Sequence, residues 1–323
     1  MEIAAKLFGG AAALRDPKEL ARALVMNLGV PLIALVLFMA LWSFTAARIQ
    51  TSLGAVPGPV KVSEQAMVLV KEHFSERKRE AAFYERQEER NAERLADDPN
   101  YEPRIFPWTG KATYFDQIIT SLKTVFVGFM LATLVAVPLG ILAGTSKVVQ
   151  AAINPLVQLF RPVSPLAWLP IVTLIVSAVY VTTGEPMFEK SFLISAITVT
   201  LCSLWTTLIN TAIGVSSVDK DLVNVGKVLQ LPLGTRIRKV ILPSALPYIF
   251  TGMRLSLGVG WMVLIAAEML AQNPGLGKFV WDEFQNGSSD SLSRIMVAVF
   301  TIGAIGFALD RLMQTLQNLV SHR

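Results

Sequence analysis

The sequence has very few of the side chains that most often carry catalysis or bind metals. It contains one cysteine, Cys202, and two histidines, His73 and His322. A lone cysteine excludes an intrachain disulfide and a cysteine-based metal cluster. The histidines lie far apart and outside the apolar stretches, so neither a histidine-centred zinc site nor a catalytic triad is predicted. No segment matches the Gly-x-x-x-x-Gly-Lys-Ser/Thr loop, so we expect this chain to bind no ATP, metal ion or other cofactor itself.

Charged residues are also scarce. They make up 16% of the chain, against about 25% in a typical soluble domain, and many of them lie in residues 71–94. The mean hydropathy is +0.51, which indicates a protein with several membrane spans. The net charge of +5 is not arranged as a basic stripe with interleaved aromatic residues, so nucleic acid is not an expected partner. Basic loops that face the cytoplasm explain the charge better.

Long apolar runs define the fold class. A bilayer core about 30 Å thick needs roughly 20 apolar residues as helix. The candidate spans are about residues 24–47, 118–144, 167–181, 192–215, 248–270 and 294–316. The third, which has an apolar lead-in from residue 151, contains Pro162, Pro165 and Pro170, so it is predicted to be bent or re-entrant. The first is too long for a signal peptide. We therefore expect an all-α polytopic membrane protein with about six transmembrane helices.

Basic residues predict which side of the membrane each loop faces. With the N-terminal arm, residues 1–23, in the cytoplasm, the cytoplasmic segments hold most cations of the short loops. These cations are Lys6, Arg15, Lys18, Arg22, Lys147, Lys220, Lys227, Arg236, Arg238 and Lys239. Loop 48–116 then lies outside, where its length exempts it from the positive-inside rule. Six spans return the C-terminus to the cytoplasm, and segment 219–243, between spans four and five, is cytoplasmic too.

The outside loop, residues 48–116, begins with a Pro/Gly turn. A short amphipathic helix near the membrane surface is expected next, followed by a strongly charged helix. In that helix the pairs Arg86–Glu89 and Arg90–Glu93 have the i,i+3 spacing of ion pairs. A solvated helix explains this pattern most simply, and a docking surface for an extracytoplasmic partner is the alternative.

Segment 219–243 is polar, basic and punctuated by prolines, although apolar spans flank it. The sequence predicts a helix over 219–229, a break at Pro232–Gly234, and a second amphipathic helix over 235–240 that ends at Leu242–Pro243. A rigid knob of this kind can be held by a partner and can transmit movement to spans four and five. An ordinary connecting loop is the alternative.

This segment resembles the cytoplasmic signature of the permease subunits of bacterial ABC importers. That signature reads Glu-Ala-Ala, three residues, Gly, nine residues and Ile-x-Leu-Pro. Only Leu242–Pro243 match it strictly; Val240 replaces the Ile, Gln230 the Gly, and residues 224–226 the Glu-Ala-Ala. In the family this segment is the coupling helix that fits a groove on the ATPase subunit. The resemblance implies that the contact residues are Asn224, Val225, Gly226, Lys227, Gln230, Arg236, Leu242 and Pro243.

Further stretches resemble one branch of these permeases, the importers of nitrate, bicarbonate or cyanate. "TGMRLSLGVGWMVLIAAEML" and the following "FVWDEF" are the most specific of them. The resemblance covers residues 24–76 and 110–320, so residues 77–109 are interpreted as an insertion. It implies the type I importer permease fold, with residues 117–320 as the core, and a small oxyanion, nitrate first, as substrate. Permeases for taurine and alkanesulfonates are close relatives and remain the alternative.

The resemblance also implies a set of partners. These are a second permease copy, as a homodimer, two ATPase subunits that bind ATP and Mg²⁺, a periplasmic or lipid-anchored substrate-binding protein, and membrane lipid. The assembly would lie in the bacterial inner membrane and work by alternating access, with ATP hydrolysis performed by the partner subunits and not by this chain.

A few polar or aromatic residues at membrane depth are candidates for the translocation pathway, because ionisable groups are costly there. Arg161 has the right charge for an oxyanion, although its side chain can equally reach lipid headgroups. Trp168 and Trp261 could line a path or serve as packing residues. Glu268 has the wrong charge for an anion, so a structural or gating role is favoured.

The sequence disfavours two other function classes. A stand-alone secondary transporter is disfavoured because the two halves show no matching Gly/Pro-interrupted segments. A membrane-embedded enzyme is disfavoured because the spans contain no cluster of His, Asp or Glu.

Overall fold

The computed structural model describes residues 22, 25–51, 54–181, 187–288 and 290–321. Helices account for most of these residues. Apart from Arg22, the predicted cytoplasmic arm, residues 1–23, lies outside the described residues, and so does His322.

The chain divides into two compact units, residues 1–67 with 287–297 and residues 68–286 with 298–323. In the first unit a π-helical turn, Val25–Gly29, continues into helix α1, Val30–Ala46. The π-helical turn lies directly before Pro31, which has no backbone N–H to donate to the preceding turn. Strands β1, Gln50–Thr51, and β2, Gly54–Ala55, then form a short antiparallel hairpin.

The charged region of loop 48–116 forms one long helix. Helix α2 runs without a break over Pro59–Asp97, 39 residues. The expectation of two separate helices here is wrong, because the sequence has no glycine or proline between residues 60 and 97 to end the first one. The predicted pairs Arg86–Glu89 and Arg90–Glu93 are not among the ion pairs of the described residues. Those formed within α2 are Arg77–Glu80 and Arg79–Glu76.

The remaining helices follow in order. They are α3 (Tyr114–Thr145), α4 (Lys147–Phe160), α5 (Pro165–Val179), α6 (Lys190–Ser216), α7 (Lys220–Val228), α8 (Leu233–Arg236), α9 (Leu242–Ala271), α10 (Leu276–Asn286) and α11 (Ser291–Ser321).

Within the described residues, five helical stretches are long and apolar enough to cross a membrane. They are Val25–Ala46, Tyr114–Thr145, Lys190–Ser216, Leu233–Ala271 and Ser291–Val320. A sixth span results if α4 and α5, which meet at a bend of 102°, are counted as one. The prediction of an all-α polytopic fold with about six spans, the third of them bent, is therefore confirmed.

The bend has a local cause. Proline disfavours helical backbone in the residue before it, and Ser164, before Pro165, is extended with ψ at 141°. The Ser164 hydroxyl accepts a hydrogen bond from the Leu166 backbone N–H at 3.3 Å, so it caps the new helix. Pro165 itself occupies the first turn of α5, which tolerates proline.

Helix α6 lies at the centre of the second unit and packs along both α3 and α9. Small residues allow the close approach of α3 and α6. A Cβ atom on Gly140 would stand 2.6 Å from the Thr211 Cβ atom. Two apolar clusters close the ends of the bundle. One contains Leu169, Val172, Val176, Ile194 and Ala267; the other contains Val215, Val218, Ile241, Ala245 and Ile249.

Candidate functional site

The proline-punctuated segment forms a short helix followed by a continuous extension of the next span. We call residues 219–243 the coupling segment. Helix α7 is a separate helix, but α8 continues through a π-helical turn, Ile237–Ile241, into α9. The predicted end of a second short helix at Leu242–Pro243 is therefore wrong. The wider π turn, in which the Leu242 N–H bonds to the Ile237 carbonyl oxygen, accommodates the proline at the start of α9.

The turn after α7 has a conformation that favours glycine. Gln230 has a φ of 49°, in the left-handed region where only glycine is unstrained. The Leu231 N–H donates to the Gly226 carbonyl oxygen at 3.0 Å, and this bond spans five residues, as in a Schellman motif. Gln230 stands where the family signature has glycine, so the substitution retains the turn at a cost in strain.

We expect Gln230→Gly to preserve the coupling segment and Gln230→Val to destabilise it. A left-handed conformation costs an L-residue about 1–2 kcal/mol, and a β-branched residue tolerates it least. Hydrogen exchange of the α7 backbone amides measures the effect: exchange should slow slightly in the glycine variant and accelerate in the valine variant. Equal exchange in both variants would contradict the assignment of strain to Gln230.

The coupling segment presents an exposed apolar surface. Val225, Val228 and Leu229 are 56%, 82% and 64% exposed. Together with Asp221 and Asn224 they line a shallow cavity of about 360 Å³. Apolar side chains clustered at this exposure are typical of an interaction surface. The side chain of Lys227, also predicted to be a contact residue, lies outside the described part of the chain.

Arg236 connects the two parts of the coupling segment. Its Cγ and Cδ atoms would lie 3.3 Å from a Cβ atom on Gly226, so the arginine stem packs across α7. Arg236 also lines a second cavity, of about 560 Å³, with Lys147 and Asn224. Leu242 is half-buried and packs against the cluster around Ile241, whereas Pro243 is exposed. The predicted residues thus divide into an exposed face on α7 and a supporting contact at Arg236.

Glu268 lies at the centre of a buried hydrogen-bond network at the opposite end of α9. It is fully buried. Its carboxyl oxygens accept hydrogen bonds from the Ser121 hydroxyl on α3 at 2.8 Å and from the Gly277 N–H at the start of α10 at 2.9 Å. The Ser121 oxygen in turn accepts from the Leu276 N–H at 2.8 Å, and Asn273 donates to Glu268 at 3.4 Å. The N-terminus of a helix favours this type of acceptor, so one side chain joins three helices.

Gly275 makes room for this network. A Cβ atom at residue 275 would collide with the carboxyl group of Glu268. Gly275 and Gly277 therefore allow the backbone of the α9–α10 connection to approach Glu268.

The predicted pathway residues are not brought into one site. Arg161 is exposed at the end of α4. Trp168 packs against Phe160, with ring centroids 5.7 Å apart, and Phe160 stacks on Trp205 at 6.0 Å. Among the described residues, the indole N–H groups of Trp168 and Trp205 have no hydrogen-bond acceptor although both nitrogen atoms are buried.

Trp261 lies elsewhere, buried between α9 and α11. Its indole N–H donates to the Ile302 carbonyl oxygen at 3.0 Å, and the ring packs against Gly306. This geometry is that of a packing residue between two spans.

Comparison with known proteins assigns a family to this arrangement. Residues 136–322 match the family described as binding-protein-dependent transport system inner membrane component. The chain belongs to this family. The matched region covers more than half of the permease and includes the whole coupling segment, so the predicted relationship to importer permeases is confirmed.

Curated relatives of the permease include bicarbonate and nitrate permeases. It is 39% identical over 208 residues to the bicarbonate transport system permease protein CmpB of Synechocystis sp., covering 64% of this chain and 69% of the relative. It is 34% identical over 205 residues to the nitrate import permease protein NrtB of Synechococcus elongatus, again covering 64% and 69%. The NrtB protein of Synechocystis sp. is 38% identical over 204 residues. The predicted nitrate and bicarbonate branch is supported over the sulfonate branch.

A solved structure supports the fold independently of close sequence similarity. An inward-facing structure of the MetNI methionine ABC transporter matches the permease with a TM-score of 0.55 at 13% identity, covering 64% of this chain and 95% of that chain. At this identity the similarity concerns the fold alone, and it confirms the type I importer permease architecture.

An ion pair between spans was not predicted from the sequence. The Arg254 guanidinium on α9 donates to the Asp310 carboxylate on α11 through two bonds, at 2.5 and 2.7 Å. The available signal was that span six contains one acidic residue and span five one basic residue at similar depth. Ser121 and Asn273 offered no such signal, because serine and asparagine are common in spans and loops.

We expect Arg254→Ala to destabilise the permease, because the Asp310 carboxylate loses a bidentate partner. The melting temperature of the detergent-solubilised chain measures the effect. The charge-exchanged variant R254D/D310R should recover much of the loss. If it melts no higher than Arg254→Ala, the pair does not hold α9 and α11 together.

Proposed function

We propose that this permease forms the membrane path of an ATP-driven importer for nitrate or bicarbonate. The observation that carries the proposal is the coupling segment, in which α7 presents an exposed apolar face and α8 extends span five. It occurs in a chain that is 34–39% identical to nitrate and bicarbonate permeases. Nitrate and bicarbonate are both planar monoanions with three oxygens, which makes one pathway suitable for either anion.

The proposed coupling uses a partner ATPase. Val225, Val228 and Leu229 would insert into an apolar groove of that subunit, and Arg236 would hold α7 at a fixed angle to α8. Since α8 and the π turn continue into α9, movement of the ATPase subunits reaches span five without a flexible joint. Two permease copies, two ATPase subunits and a substrate-binding protein complete the proposed assembly, with both chain termini and the coupling segment in the cytoplasm.

The proposed pathway passes Arg161 and Trp168 at the break between α4 and α5. Support comes from the buried indole N–H groups of Trp168 and Trp205, which have no acceptor among the described residues. A passing oxyanion could accept hydrogen bonds from such donors. Trp261 and Glu268 would contribute indirectly, by holding α11 and α10 against α9.

The test is ATPase stimulation in proteoliposomes that contain the permease, its ATPase and its binding protein. Nitrate, bicarbonate, cyanate and taurine are supplied in turn, and uptake is measured in parallel. Stimulation and uptake with nitrate or bicarbonate would support the proposal and identify the substrate. Stimulation by taurine alone would move the chain to the sulfonate importers. Uptake without any ATPase subunit would overturn the proposed mechanism.

A further inference from the structure

Residues 98–113 fold back along helix α2 and form a hairpin with it, which we call the charged hairpin. The contacts occur in antiparallel order: the Asn91 side chain bonds to the Arg104 carbonyl oxygen and the Tyr84 hydroxyl accepts from the Trp108 N–H, each at 3.0 Å. Where the hairpin meets α3, Arg77 donates to Asp116 at 2.6 Å. The hairpin is therefore a folded element and not a single solvated helix.

Two side-chain amides of α2, those of Gln87 and Asn91, hold residues 98–113 against the helix. The Gln87 side chain bonds to both backbone groups of Phe106, accepting from the N–H at 2.8 Å and donating to the carbonyl oxygen at 3.0 Å. The Asn91 amide donates to the Arg104 carbonyl oxygen and accepts from the Tyr101 hydroxyl at 3.2 Å. Because these groups bond to one another, they fix the walls of a cavity.

The cavity, of about 290 Å³, is lined by three arginines and three aromatic residues. They are Arg90, Arg94, Arg104, Phe83, Tyr101 and Phe106. Among the described residues no carboxylate lines the cavity, and none of the three guanidinium groups forms an ion pair. Their bonds within the hairpin are those of Arg90 Nε to the Arg86 carbonyl oxygen and of Arg94 to the Tyr101 hydroxyl.

Three cations held together without a counterion repel each other. The many glutamates of α2 could have neutralised them, as Glu80 and Glu76 neutralise Arg77 and Arg79. An arrangement that gathers positive charge around a cavity is stabilised when an anion enters it, because guanidinium groups bind carboxylates through paired N–H donors.

We propose that the charged hairpin binds a small organic anion through a carboxylate group. The carboxylate would take the free N–H donors of Arg90, Arg94 and Arg104, while the aromatic walls at Phe83 and Phe106 would cover an apolar body. The cavity volume lies at the lower end of the range of small-molecule sites, which fits a ring or short chain with one acidic group.

This site is separate from the transported substrate. The hairpin precedes the region matched to the permease family, residues 136–322, and in the proposed topology it lies outside the membrane. The aromatic walls also favour an anion with an apolar part over the fully polar nitrate and bicarbonate ions. The proposal therefore does not rest on the transport function.

The probe is benzoate, with acetate and nitrate as comparison anions at constant ionic strength. Isothermal titration of the full-length permease in nanodiscs should show saturable binding of benzoate that weakens as salt rises. The variant R90Q/R94Q/R104Q should bind benzoate at least about tenfold more weakly, since each lost charge-assisted bond contributes strongly. Arg86→Gln, on the same helix but outside the cavity lining, is the matched control and should bind like the unchanged chain.

Several outcomes would overturn the proposal. One is no saturable benzoate binding up to about 10 mM, a range that includes weak sites. Another is equal benzoate affinity in the triple variant and the unchanged chain. Equal binding of acetate or nitrate would overturn the assignment of an apolar body to the ligand. Arginine-dependent capture of the substrate-binding protein without benzoate binding would make the hairpin a protein-docking surface instead. A thermal melt of each variant confirms that the exposed substitutions leave the fold intact.

Discussion

Glu268→Ala is expected to abolish transport and to destabilise the permease by about 3 kcal/mol or more, since each buried donor left unsatisfied costs roughly 1–3 kcal/mol. The substitution removes the acceptor of the Ser121 hydroxyl and the Gly277 N–H. It also opens a cavity where the side chain is fully buried, and neighbouring atoms collapse into such a cavity only in part. Helix α10 would then lose its attachment to α9 and α3.

The measurements are the melting temperature of the solubilised chain and uptake in proteoliposomes. Glu268→Gln keeps the shape of the side chain but places an NH₂ group, itself a donor, where one of the two acceptor oxygens stood. We therefore expect it to lower the melting temperature and uptake, but by less than Glu268→Ala does. Glu88→Ala, an exposed glutamate on α2, is the control and should change neither quantity. If Glu268→Ala melts like the unchanged chain, the network does not join the helices as described.

If an ATPase subunit docks on α7 as proposed, Val228→Asp is expected to prevent its binding while leaving the permease folded. The side chain is 82% exposed, so the folded chain has little to lose from the substitution. In a complex, however, the new carboxylate would be buried in an apolar groove without a partner, which costs several kcal/mol. Co-purification of the ATPase subunit with the tagged permease should fall by at least about tenfold, the equivalent of 1.4 kcal/mol.

The control for this experiment is Val148→Asp on α4. Val148 is 80% exposed and lies outside the coupling segment, and an acidic residue in the first turn of a helix is well tolerated. Co-purification should therefore be unchanged. Full recovery of the ATPase subunit with Val228→Asp would show that the exposed face of α7 is not its docking surface.

The spans could be predicted from the sequence because their apolar runs are far longer than any core helix requires. The bend before α5 was predictable as well, since Pro162 and Pro165 act on the local backbone. Charge and prolines distinguished segment 219–243 from the apolar spans on either side of it. The prediction that a second short helix ends at Pro243 was wrong. A proline ends a helix only where the preceding turn cannot widen, and here the turn Ile237–Ile241 widens into a π turn.

The site residues were harder to predict than the spans. Glu268 could be identified as unusual, but its partners Ser121 and Asn273 are 147 residues before it and five residues after it. Neither is distinctive in its own sequence context. The cavity of the charged hairpin could not be predicted from the sequence either, because Arg104 comes close to Arg90 and Arg94 only when residues 98–113 turn back along α2. The expected ion pairs of α2 were wrong for the same reason: spacing allows a contact but does not select it.

The sequence by itself determined the membrane character of this protein, its spans and the polar, proline-bounded character of segment 219–243. These properties depend on apolar length, charge balance and local backbone preference, which act over a few turns of chain. The tertiary structure decided which side chains meet: Glu268 with α3 and α10, Arg254 with Asp310, and three arginines around one cavity. Such contacts depend on how helices distant in sequence pack against each other, and packing is set by the shapes of whole surfaces, which no local pattern encodes.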